Sequence, residues 1–405
     1  MTVDLADPGF VADPYPVMAE LRKAGPMVWH EPSDRWLATT HAAVTRVLRD
    51  RAFGRIWVDW EPADEMEPFN SLHRNQMMEN EDQAHRRLRG LVSAAFGRGH
   101  AERMRPRIEA LVNRMLEGLD PSAPVDLMSQ YAEPLPVYVI ADLLGVPGDD
   151  HVQLRAWSQA IVRMYEQDVD TSRSGDHWEA AGAATRDEAV AAAQDFADYV
   201  RGIIAARRAE PGDDLVTDLL EEQGGVTSLS DDELVASVVL LLNAGHEASV
   251  NTFGNGAYSL LTHPDQLARI TSGEVPMATA LEELIRFDAP LQLFERTATA
   301  DVDVLGTTVR AGQKVACLMG SANRDEQVFA DPGSLDVGRD PNPHVGFGLG
   351  VHFCLGAPLA RLELEITFSR LLERWPDLEL AAPAPRRPTW VLRGLDRLDV
   401  HLATP

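Results

Sequence analysis

The sequence has few cysteines. Two, Cys317 and Cys354, in 405 residues cannot build a disulfide framework, and such sparse usage fits a reducing compartment. Lysine is equally scarce, Lys23 and Lys314 being the only two. The remaining bases are arginines in an acidic chain of formal net charge −26. That charge argues against nucleic-acid partners and against anionic membrane surfaces. Long hydrophobic runs are missing as well: the most apolar stretch, 234–244, contains Ser237 and Asn243 and is shorter than a bilayer span. The first residues, Met1-Thr2-Val3-Asp4-Leu5-Ala6-Asp7-Pro8, are acidic and broken by proline, unlike the basic start and apolar core of a secretory signal. The expectation is a soluble, cytoplasmic protein. Its apolar fraction of 45% is ordinary for a globular chain and can supply a large core.

No repeat or long low-complexity segment is present. Helical periodicity dominates from about 81 to 261, with strand-like pieces at 27–30 and 36–39 and a strand- and loop-rich final quarter. The stretch 54–80, carrying Trp57, Trp60 and Phe69, reads as a long functional loop. The polar connection at 167–180 reads as a flexible helix–helix lid. Ser230-Asp231-Asp232-Glu233 is a capping box that opens an apolar pattern ending at His263-Pro264. At 1.5 Å per residue this helix spans roughly 45 Å, enough to cross a domain. Being apolar on most faces over 235–242, it belongs inside the protein.

Four constellations carry chemistry. The first is Phe347-Gly348-Leu349-Gly350-Val351-His352-Phe353-Cys354-Leu355-Gly356. Cys317 reads as a small buried hydrophobe. Cys354, by contrast, lies among glycines that allow tight turns and close approach to a flat ligand. It also precedes a helix whose free N–H groups can keep a sulfur ionised. The second is Glu283-Leu284-Ile285-Arg286, whose i, i+3 spacing puts both charges on one helical face, followed by Asp336-Val337-Gly338-Arg339. The third is Ala244-Gly245-His246-Glu247 inside the apolar helix, where a glycine costs about 1 kcal/mol and a buried carboxylate needs a partner or a purpose. The fourth is His85 and Arg89, at i, i+4 on one helical face.

In this order and spacing, the motifs resemble those of the cytochrome P-450 family over about 14–400. The resemblance implies a mainly α, helix-rich single domain over 1–405, with small β-sheets near both ends. It also implies haem b (iron protoporphyrin IX) ligated by Cys354, whose thiolate pushes electron density towards bound oxygen. Phe347, Gly350 and Gly356 match the haem-ligand signature. His85, Arg89, Arg296 and His352 match the family's propionate partners, and arginine suits carboxylates through its planar fork. Glu283, Arg286 and Arg339 match its structural ion-pair lock. Ala244 and Gly245 match a local kink that opens an oxygen groove, and Glu247 the acid that feeds protons towards dioxygen. Trp57, Trp60, Phe69, Leu291, Phe294 and Leu392 stand at substrate-pocket positions. Plain core is the alternative for these six.

The implied activity is monooxygenation (hydroxylation or epoxidation) of a mid-sized, largely apolar, natural-product-like small molecule in secondary metabolism. Dioxygen is the co-substrate, and electrons come from a ferredoxin and ferredoxin reductase. A basic island of seven arginines between 85 and 107, with Arg361, suggests docking of an acidic partner through Arg86, Arg87, Arg98, Arg103 and Arg361. The chain departs from the family at Ala248, where most relatives carry a proton-relay threonine. Ser249 follows, displaced by about 100° on a helix. Water, a substrate hydroxyl or nonstandard oxidative chemistry then replaces the missing group. The alternatives are a peroxide-driven peroxygenase and a non-catalytic haem-binding protein.

Overall fold

In the computed structural model, described for residues 3–93, 98–169, 183–221 and 229–402, helices dominate and the strands are short. The lid connection expected at 167–180 falls, beyond Val169, outside the described residues. The chain gathers into two compact units. One holds the chain up to Phe53, Glu102–Leu135 and everything from Glu247 onward, and the other holds Gly54–Ala101 and Pro136–His246.

The long helix Asp231–Leu261 starts as its sequence dictates. The Ser230 hydroxyl accepts the Glu233 N–H at 3.2 Å, and the Glu233 carboxylate accepts the Ser230 N–H at 2.8 Å. This reciprocal cap satisfies donors that the first helical turn leaves free. Among the described residues, it is the one helix long and apolar enough to cross a membrane, and 67% of its most apolar window is buried inside the protein. The 234–244 run is thus the core of a longer apolar helix, and its burial is what a core helix requires. Helical structure continues unbroken through Gly245, so the expected kink is not a break in the helix.

In the first unit, a sheet runs in the order Met27–His30, Arg35–Ala38, Lys314–Leu318, Leu293–Ala298, with the short strand at Phe53 on its edge. Arg35–Ala38 lies parallel to Lys314–Leu318, and Leu293–Ala298 is antiparallel to it with Arg296 opposite Val315. The period of two puts Phe294 and Arg296 on one face. Cys317, opposite Phe294, is fully buried among Val315, Met319 and Val345. A second sheet pairs Asp399–His401 with Val125–Asp126 and Glu379–Leu380. The helices Met277–Phe287 and Ala357–Arg374 pack beside the loop that carries Cys354.

Candidate haem-thiolate site

The Cys354 loop is shaped by contacts that only glycine permits. At Gly350, φ is +73°, and a Cβ would stand 2.2 Å from the Leu48 carbonyl oxygen. At Gly346, a Cβ would meet Ile285 Cγ2 at 2.5 Å. The loop is therefore pressed between the helices His41–Arg49 and Met277–Phe287. It closes on itself where the Cys354 N–H donates to the Phe347 carbonyl at 2.9 Å. Cys354 is half-buried. Burial pushes the Cys317 thiol up to about 12, despite the nearby Arg296 charge, and so keeps it neutral. Of the two cysteines, only Cys354 has the setting of a ligand. Among the described residues, no group of three His, Cys, Asp or Glu can hold a metal ion by itself. A lone thiolate donor fits a metal whose other ligands come from a macrocycle. Arg296, buried on its strand, lays its guanidinium over the Phe294 ring at 5.5 Å, and His352 ends the short 3-10 turn before Cys354.

Glu283, Arg286 and Arg339 come together as one buried knot. Arg286 donates to Glu283 through Nε and Nη2 at 2.6 and 2.7 Å, and Arg339 Nε donates at 3.0 Å. Asn342 and the Asp336 N–H add donors at 3.1 and 2.9 Å. Arg286 also donates to the carbonyls of Asn323, Pro332 and Ser334. Glu283 and Arg286 are fully buried and every polar atom of the pair is hydrogen-bonded, the condition under which an internal ion pair holds.

The acid of the long helix has a partner that the sequence did not disclose. Glu247 is 8% exposed, and Arg387 Nη1 donates to its carboxylate at 2.8 Å while Nη2 donates to Glu133 at 3.3 Å. Ala244, Gly245 and Ala248 keep open surface on a helix otherwise largely buried, whereas Ser249 is buried. Ser249, one residue on, is displaced by about 100° from Ala248 around the helix. One turn on, Thr252 Oγ1 donates to the Ala248 carbonyl at 2.6 Å, a hydroxyl that motif reading passed over. The pocket-position residues Leu291 and Leu392 face each other in an isolated β-bridge, and both are half-buried.

In the second unit, the stretch 54–80 is not a loop without structure. It holds the helix Ala63–Arg74 and the 3-10 turn Met77–Glu79. The cause is a stripe, Met66, Phe69, Asn70 and His73, buried at helical spacing despite Pro68, its polar members satisfied by backbone groups. Phe69 is fully buried and stacks on His73 at 4.2 Å, with Trp57 on His73 at 4.3 Å. Phe69 is therefore core, not open pocket wall, while Trp57 and Trp60 are half-buried. Burial pushes the His73 imidazole down to about 4, against the Phe69 carbonyl and Glu79, which favour its charged form. His85 is buried and Arg89 half-buried on the helix Asp82–Ser93.

Of the docking candidates, Arg87 is committed to a bidentate pair with Glu233, and Arg361, in the first unit, to one with Glu282. Arg86 and Arg103 are exposed. Arg98 opens its helix, and its side chain lies outside the described residues.

A cysteine on a glycine-shaped loop, a saturated Glu–Arg–Arg knot and a core helix with a small-residue stripe and a buried acid define a haem-thiolate protein. The comparisons agree. A family model described as cytochrome P450 matches residues 26–381. The cytochrome P450 monooxygenase PikC of Streptomyces venezuelae is 35% identical, covering 97% of this chain and 92% of its own. The polyketide biosynthesis cytochrome P450 PksS of Bacillus subtilis is also 35% identical, over 91% of this chain and 89% of its own. Among solved structures, P450BioI in complex with a hexadecenoic-acid-ligated acyl carrier protein matches with a TM-score of 0.89 at 31% identity, covering 98% of this chain and 100% of that one. The chain belongs to the cytochrome P450 family. It is a monooxygenase of the haem b class, with the mainly helical fold that the motifs implied.

Proposed function

We propose that this enzyme hydroxylates or epoxidises a mid-sized, largely apolar, natural-product-like molecule in the cytoplasm, with electrons from a ferredoxin and its reductase. The polyketide relative and the acyl-chain complex support that substrate class. Cys354 is the proposed iron ligand. Arg296 and His352 in the first unit, and His85 and Arg89 in the second, are the proposed propionate partners. The bound haem supplies oxygen activation, strengthened by the thiolate's electron donation. Trp57, Trp60, Leu291, Phe294 and Leu392 supply apolar surface for the substrate.

The observation that carries the proton step is the contrast between half-buried Ala248, which has no hydroxyl, and buried Ser249. With no hydroxyl at position 248, protons from Glu247 travel through water or through a hydroxyl of the substrate. Ala248→Thr is the test, read as the ratio of product to released peroxide with NAD(P)H, ferredoxin and reductase. More peroxide, or product no better than wild type, is expected. A large, clean gain in coupling would sink the proposal.

A further inference from the structure

Beside the Glu283 knot lies a second carboxylate that the oxygen chemistry leaves unassigned. Glu282 receives Arg361 Nε at 2.6 Å and Nη2 at 2.9 Å. Its Oε2 is also 2.9 Å from His344 Nε2. His344 Nδ1 lies 3.1 Å from the Gly346 N–H and accepts it, so Nε2 is the nitrogen that donates to Glu282. Arg361, for its part, holds its guanidinium 4.3 Å from the centroid of the Phe347 ring. The Phe347 carbonyl is the acceptor for the Cys354 N–H at 2.9 Å. One carboxylate therefore reaches the cysteine loop by two arms: through His344 to the backbone of Gly346, and through Arg361 to the ring of Phe347. The Leu48 carbonyl backs the loop at Gly350. The three partners come from the helix Met277–Phe287, the loop and the helix Ala357–Arg374. Burial favours the neutral acid, but Arg361 and His344 outweigh it and bring Glu282 down to about 2. The Glu282 carboxylate is thus ionised near neutral pH.

We propose that Glu282 is a positioning residue for the thiolate: through Arg361 and His344 it fixes Phe347 and Gly346, and through the Phe347 carbonyl it fixes the Cys354 backbone. A planar guanidinium held by a bidentate carboxylate keeps its orientation over a ring, which a flexible cation does not. The inference rests on Cys354 being the iron ligand.

The test uses the haem-loaded protein. Glu282→Gln removes the charge and one acceptor. Its reduced carbon monoxide complex should shift partly from the thiolate band to the neutral-thiol band, and haem should pass to apomyoglobin about ten-fold faster, the loss of roughly one strong hydrogen bond. The midpoint potential should rise, because Arg361 stays against the loop without its counter-charge. Glu282→Asp should restore part of each change. If Glu282→Gln does not fold, Arg361→Lys decides. It keeps the charge pair but loses the planar stack, and a smaller shift of the same sign is expected. An unchanged band, potential and haem-loss rate in a variant that merely melts earlier would overturn the proposal. Cys354→Ser separates the two readings: if the thiolate band survives it, the ligand assignment fails and the positioning role falls with it. If the band vanishes there but ignores Glu282, only the positioning role fails.

Discussion

Two buried glutamates of the first unit are treated very differently by their surroundings. Glu283 is saturated: Arg286, Arg339, Asn342 and the Asp336 N–H all converge on it. Glu247 instead receives a guanidinium that it shares with Glu133. Arg387 is thus provided with a second carboxylate, and keeps a counter-charge if Glu247 turns away. A charge that only holds a fold together benefits from being surrounded. One that must pass protons needs a partner able to release it. Under the proposed function, this difference in packing separates a structural acid from a proton-passing one within a single unit.

Substitution can break that comparison. Glu283→Gln leaves Arg286 and Arg339 buried without their anion, the costly way to break an internal ion pair, so a loss of at least ~3 kcal/mol of stability is expected. Thermal unfolding and the fraction of protein recovered with haem measure it. Glu247→Gln should do the reverse. Arg387 keeps Glu133, so the melting temperature should scarcely move, while oxygen-dependent turnover falls about 10²-fold, the usual weight of a positioned acid. Arg387→Gln should fall between the two in both measurements. Equal destabilisation by Glu283→Gln and Glu247→Gln would erase the distinction.

How much of this was legible in the sequence follows from distance along the chain. The Cys354 loop, the Glu283–Arg286 spacing and the Ser230–Glu233 cap are local, and each was readable because a few neighbouring residues determine it. Arg339 was found only through family order. Arg387 lies 140 residues from Glu247, and Arg361 lies 79 from Glu282. No spacing rule connects either pair, since an ion pair of that kind exists only once strands and helices have brought the segments together. The helix Ala63–Arg74 was missed for a different reason. Its buried stripe has helical period, but Pro68 and the flanking tryptophans gave the segment the composition of a loop. Phe69 was left between pocket wall and core because composition cannot tell an aromatic lining from an aromatic core.

A third buried glutamate extends the comparison to its limit. Glu363, on the helix Ala357–Arg374, is 4% exposed. Burial alone raises its carboxyl to about 8, so near neutrality it is protonated in the fold. Unfolded, it would ionise near its ordinary value of 4.5. Between those values the native state binds the extra proton. The stability tied to that proton is complete below about 4.5, declines as pH rises towards about 8, and then levels off. Glu363→Gln removes the titration while keeping shape and polarity. Relative to wild type, the variant should gain on the order of 2 kcal/mol between pH 5 and pH 8, less than the full shift implies because the site can relax. Chemical denaturation of the haem-loaded protein across that range measures it. A gain that does not grow with pH would mean that Glu363 has found a partner, placing it with the held glutamates and not alone.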